Sequence, residues 1–242
     1  MQTTELVALS VGLALAALSV HAQTFTNLNF ESANVTASGP EPYPNFVPIG
    51  SALPCWTAYL GTQQITEVGY NSPTLSVATV CLIGPTWNAA DVQDTGFGII
   101  DGNYSIDLET GVTPLNPTDS YINASIEQNG MVPSTATSLQ FIESGYIPVS
   151  VSFDGNALVP VALSSGVSGD GLPYTLYGVN ISAWAGQIGE LEFSTSSTVD
   201  YAYNELDDIS FSTSTVPEPD IVALTAMSGI LFGARKWFAR RG

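Results

Sequence analysis

Short alternations of apolar and polar residues, punctuated by turn chemistry, constrain this chain most. Tyr104, Ile106 and Leu108 alternate with Ser105, Asp107 and Glu109, and Ile122, Ala124 and Ile126 repeat the pattern. A period of two sends successive side chains to opposite faces, so 104–109 reads as a half-buried strand. Val149, Val151 and Phe153 run into Asp154-Gly155-Asn156, and a second apolar run, Leu158 to Leu163, follows. Asp-Gly between two such runs signals a hairpin. Leu191 with Phe193, and Ile209 with Phe211, mark two further strands. No long 3.6-residue amphipathic pattern lies between Gln23 and Val216, and no fixed-period repeat is visible. Many short strands with frequent turns predict an all-β fold, a sandwich or barrel.

The two ends read differently. Leu6 to Val20 is an apolar run closing in Val20-His21-Ala22, which predicts a signal-peptide helix over 1–22, although MQTTE lacks the usual basic start. Ile221 to Gly233 is a short apolar stretch, extended by Trp237 and Phe238. Arg235, Lys236, Arg240 and Arg241 follow it, and they are the only 4 Lys and Arg residues of the 242. Positive charge resists translocation, so the tail predicts a membrane stop with its basic end in the cytoplasm. The body is then one domain, 23–215, of a size that buries a real core.

Charge sorts the functions open to that body. Of the 22 acidic residues only Glu5, Glu218 and Asp220 lie outside it, leaving 19 acids, and the one histidine, His21, falls in the signal segment. Without Lys or Arg there is no nucleic-acid partner. Without His there is no Ser-His-Asp or Cys-His site and no imidazole zinc site. A two-carboxylate glycosidase is arithmetically open, but no raised-pKa pair can be read from sequence, and no phosphate loop or G-x-S-x-G elbow occurs. The expectation is a protein that is not an enzyme. The metal such a body invites is a hard cation, calcium. Cys55 and Cys81 most simply form one disulfide in an exported protein, with two buried free thiols the alternative that spacing leaves open. Trp184, flanked by Ile181 and Ala183, reads as core. Trp87, in the turn-like Gly84-Pro85-Thr86-Trp87-Asn88, is the candidate ring for stacking on a glycan.

Two resemblances refine this. Pro217-Glu218-Pro219 directly ahead of the apolar helix 221–233, with the basic cluster behind it, resembles the PEP-CTERM sorting signal of Gram-negative bacteria. It implies that 216–242 is recognised by an exosortase. The body would be periplasmic and held at the inner membrane before processing, then at the cell surface or in an exopolysaccharide or biofilm matrix. The opening Asn29-Phe30-Glu31, with Trp56 beyond it, and the closing Asp207-Asp208-Ile209-Ser210-Phe211 resemble the galactose-binding-like jelly roll of carbohydrate-binding modules, although Cys55 stands where those modules usually carry Gly. That implies that first and last strands lie together, and that Glu31 and Asp207, with Asp208, hold a structural calcium. Solvated edge carboxylates, or caps on strand-end amides, are the plainer roles for the same residues. Two functions follow: a module binding exopolysaccharide or another glycan, or an acidic matrix protein assembling through calcium.

Overall fold

The computed structural model describes residues 23–35, 45–74, 76–87, 96–112, 121–196 and 202–217. The signal segment 1–22, the apolar helix 221–233, Glu218, Pro219 and the basic residues Arg235, Lys236, Arg240 and Arg241 lie outside them. Fourteen strands run in chain order as β1 (Phe46–Pro48), β2 (Thr57–Leu60), β3 (Gln63–Ile65), β4 (Glu67–Tyr70), β5 (Thr79–Ile83), β6 (Ser105–Thr110), β7 (Ala124–Met131), β8 (Ser138–Gly145), β9 (Ser150–Phe153), β10 (Asn156–Leu158), β11 (Val161–Val167), β12 (Pro173–Asn180), β13 (Ile188–Thr195) and β14 (Ala202–Ser212). One helical turn, Ile49–Ala52, and a 3-10 turn, Ser182–Trp184, complete the described elements. Among the described residues no helix is long and apolar enough to cross a membrane.

The strands form two sheets of a β-sandwich, ordered β1-β4-β5-β6-β14-β8-β12-β11 and β10-β9-β13-β7-β2-β3. The large sheet contributes Val80, Leu82, Ile106, Leu108, Phe141 and Leu206 to the core, and the small sheet Ala58, Ile126, Val151, Phe153, Leu191 and Phe193. Trp56 plugs this core, 5.8 Å from the Phe30 ring and 6.4 Å from the Phe193 ring, and its indole N–H donates to the Asn27 carbonyl. The Asp154-Gly155 hairpin forms as expected. Phe153 pairs with Asn156, and both loop residues have positive φ, 48° and 70°, as a two-residue type I′ turn requires. The second run divides there: β10 stays in the small sheet, and β11 crosses to the edge of the large one.

β14 holds the sandwich closed. Its register against β8 slips between Asp207 and Ser210, where three steps on β14 match two on β8. The extra residue makes a β-bulge, with Asp208 at φ 45°. The bulge resets the alternation, so Leu206 and Ile209 both enter the core although they are three apart. The opening segment lies against this strand: Ile209 N–H donates to the Leu28 carbonyl, and the Phe25 and Phe211 rings are 5.4 Å apart. First and last segments do meet, but residues 25–35 are turns rather than a strand.

Candidate functional site

Glu31 and Asp207 converge on one short turn between Asp101 and Ser105. Glu31 accepts the backbone N–H groups of Asn103 (2.6 Å) and Tyr104 (3.0 Å) and the Asn103 side-chain amide (2.8 Å). Asp207 accepts the Asp101 N–H (3.1 Å), the Ser105 hydroxyl (2.8 Å) and the Asp208 N–H (2.7 Å). Gly102, with φ +61°, sits so close beneath Glu31 that an added Cβ would collide with the carboxylate. Burial raises the Asp207 carboxyl to about 7 despite these donors, and burial with the nearby Asp101 raises Asp208. Both carboxylates thus cap amides with the positive ends of N–H dipoles turned toward them. Among the described residues no group of three or more Cys, Asp or Glu side chains is arranged to hold a metal ion. The partners that these two carboxylates meet are N–H and O–H donors.

The cysteines depart from the disulfide expectation. Both are free: Cys55 is exposed in the turn before β2, whereas Cys81 is buried in the middle of β5. Cys81 points away from the core, its sulfur beside the Ser72 N–H, and burial followed by the charge of Asp107 pushes its thiol well above the usual range. Trp87 is half-buried. Its indole N–H donates to the Phe97 carbonyl at 3.2 Å, and its ring meets Phe97 edge-on. Trp184 packs on Phe153 at the core's margin. Pro217 is exposed at the end of the described chain, beside Thr137 and Asn180.

The alternation in β6 conceals a second buried layer. Ser105, Asp107 and Glu109 are as inaccessible as Ile106 and Leu108, so this strand is covered on both faces. Asp107 lies opposite Glu205 on β14 and Cys81 on β5. Phe97, Ile100 and Leu172 are buried with them, and Gly98 N–H donates to Glu205 at 2.7 Å. Among the described residues, both oxygens of Asp107 and one of Glu205 have no hydrogen-bond partner. Burial, reinforced for Asp107 by Glu109 and Glu205, lifts both carboxyls well above their ordinary values. Burial favours the neutral form of both, because a body with no base offers no counter-charge.

A different grouping offers an open site. On β8, Phe141 enters the core and Glu143, two residues on, continues the same face to where the core ends. There Glu143, Tyr146, Tyr174, Thr175, Tyr177 and Asn204 line a cleft of about 470 Å³. Tyr146 is 72 % exposed and braced edge-on against Tyr203 at 5.1 Å. Tyr177 stacks on Phe141 at 5.8 Å, and the Tyr174 ring lies across Gly166, where any Cβ would strike it. Glu143 accepts the Val149 N–H at 3.1 Å and bonds the side chains of Asn204 and Tyr177. Burial raises its pKa and these bonds restrain the rise. Asn204 donates to the Ile147 carbonyl at 2.6 Å, while its own carbonyl oxygen is buried without a partner. Rings around a few converging polar groups are the chemistry of sugar recognition. Of these residues only Asn204 stands out in the sequence, as an asparagine in turn-like surroundings that suits a polar contact to a sugar. The other signal is a tyrosine-rich composition, because the six come from three strands and a loop. A cleft of about 490 Å³ elsewhere, lined by Phe46, Leu60, Ile65 and Val80 with Gln63 and Glu67, offers a single ring on mainly apolar walls.

No family model matches the chain, and no curated protein matches it. Among solved structures it is similar to TmCBM61 in complex with β-1,4-galactotriose, at 14% identity over 80% of this chain and 99% of that one, with a TM-score of 0.40. It is also similar to the enzymatically active domain of tailspike protein 4 of bacteriophage CBA120, at 16% identity over 65% of this chain and 19% of that one, with a TM-score of 0.32.

Proposed function

We propose that this is an exported, non-catalytic protein whose sandwich binds an exopolysaccharide or another glycan in the tyrosine cleft. The observation that carries this reading is the meeting of Tyr146, Tyr174 and Tyr177 around Glu143 and Asn204. Rings held by their neighbours stack on sugar faces at little entropic cost, and the carboxyl and amide fix hydroxyl positions. Glu143 is the one acid among the lining residues, which disfavours two-carboxylate hydrolysis. The sandwich frame suits the jelly roll that the opening and closing motifs resemble. The ends supply the route: export by 1–22, then sorting of the periplasmic body by an exosortase at Pro217-Glu218-Pro219, while the basic tail holds it in the inner membrane. The destination is the cell surface or matrix of a Gram-negative bacterium.

A glycan array, with and without chelator, tests the reading beside a Tyr146→Ala variant. Selective binding that falls about tenfold in the variant is expected, equivalent to losing one aromatic contact. Tyr146 is exposed, so the melting temperature should hold. Calcium-dependent self-association with no glycan bound would instead favour the acidic matrix protein.

A further inference from the structure

We infer that the tyrosine cleft selects a glycan carrying free, protonated amines, a polymer of amino sugars rather than a neutral or acidic one; this rests on the glycan reading above. The cleft is rich in acceptors and has no cation. Glu143 lies on its floor opposite Thr175, and the buried Asn204 carbonyl oxygen has no donor among the described residues. No Lys, Arg or His exists anywhere in 23–215 to pair with them. A buried carboxyl without a counter-charge is costly, and an ammonium arriving with the ligand supplies that charge. It also supplies N–H donors of the kind a carboxylate accepts.

The walls point the same way. Tyr146, Tyr174 and Tyr177 line the cleft with the acid, Tyr177 bonding it through its hydroxyl, and rings set near a carboxylate attract ammonium groups more strongly than neutral ones. The orientation of each ring is set before binding, by Tyr203, by the glycine surface of β11 and by Phe141 respectively. The rest of the body adds long-range selection. Its 19 acids without a base repel uronic or sulfated polymers and draw in a polycation. An N-acetylated sugar would present an uncharged amide here and leave Glu143 without its counter-ion.

The test is calorimetric titration of the full chain at fixed ionic strength with a tetramer of β-1,4-linked glucosamine, its fully N-acetylated counterpart and a galacturonate tetramer. The amine form should bind at least about tenfold more tightly than the acetylated form, and the uronate should not bind. Glu143→Gln, which keeps the side chain's shape, should erase most of that preference. Tyr146→Leu, on an exposed residue, should weaken the amine form more than the acetylated form. Equal affinity for amine and acetyl forms overturns the inference and leaves the glycan reading standing. Failure of all glycans, on the array as well, overturns both. Amine binding untouched by Glu143→Gln and abolished by salt is general attraction to an acidic body, and it overturns the cleft assignment.

Discussion

Glu205 on β14 stands directly opposite Asp107 on β6, and neither carboxyl reaches water. Cys81 flanks Asp107 from β5, so the centre of the large sheet's outer face carries a row of titratable groups with no base to balance them. Charging any of these groups costs stability, because no base in the body pairs with the charge.

Stability should therefore fall as pH rises. The Asp107 carboxyl is raised well above 3.8 in the fold, so between that value and the folded one the native state binds more protons than the unfolded chain. The stabilisation is complete below about pH 4 and is lost as pH climbs toward the folded value, at up to about 1.4 kcal/mol per pH unit for each proton. Melting temperature measured between about pH 4 and pH 7 should decline, and Asp107→Asn should flatten the decline. Glu67→Gln removes an equal charge from an exposed site and should leave the slope nearly intact. Identical slopes in the two variants would assign the effect to net charge alone.

Glu31 and Asp207 act as caps for the 101–105 turn, so their removal should cost stability without any metal present. Glu31→Ala deletes the acceptor of two backbone N–H groups, and a loss of about 2 kcal/mol is expected by denaturant titration in chelator. Calcium and magnesium at matched ionic strength should shift the wild-type midpoint equally. A calcium-specific gain that vanishes in Glu31→Gln plus Asp207→Asn would reinstate the structural ion.

The thiols give a chemical check. Native protein, never reduced, should take up one alkyl group at exposed Cys55, and a second, at buried Cys81, only after unfolding. Uptake of none after unfolding, read by intact mass, would mean that the two are joined.

Sorting is tested in cells. Replacing Pro217, Glu218 and Pro219 with Ala should leave the protein uncut in the inner membrane. Normal processing and location in that variant would remove the exosortase from the account and leave a plain membrane anchor.

The legible parts of the fold share a local cause. Asp154-Gly155 makes its hairpin because both residues tolerate positive φ, a property of the two residues themselves. The alternation of β6 is likewise visible, but it reports only which residues share a face. Ser105, Asp107 and Glu109 look like a solvated face in sequence, yet Phe97, Ile100 and Leu172, from other loops, are buried alongside them. The meeting of Leu28 with Ile209 was anticipated by resemblance rather than by pattern, since no periodicity encodes a contact so distant along the chain. Glu143 and Tyr174 stayed hidden for the same reason: each is unremarkable within its own strand, and only the register of β14, β8 and β12 sets them beside Asn204.

By itself the amino-acid order determined what depends on neighbours and on totals. Period-two hydrophobicity made strands, Asp-Gly made a turn, and a body with 19 acids and no base ruled out whole classes of partner. Tertiary structure decided what those acids do. Sheet order buried Asp107 and Glu205 together, turned Glu31 and Asp207 onto one set of amides, and left Glu143 at the open edge of the core among tyrosines. The physical reason is that a carboxyl's role depends on its solvation and on which donors surround it, and both are set by segments remote in the chain.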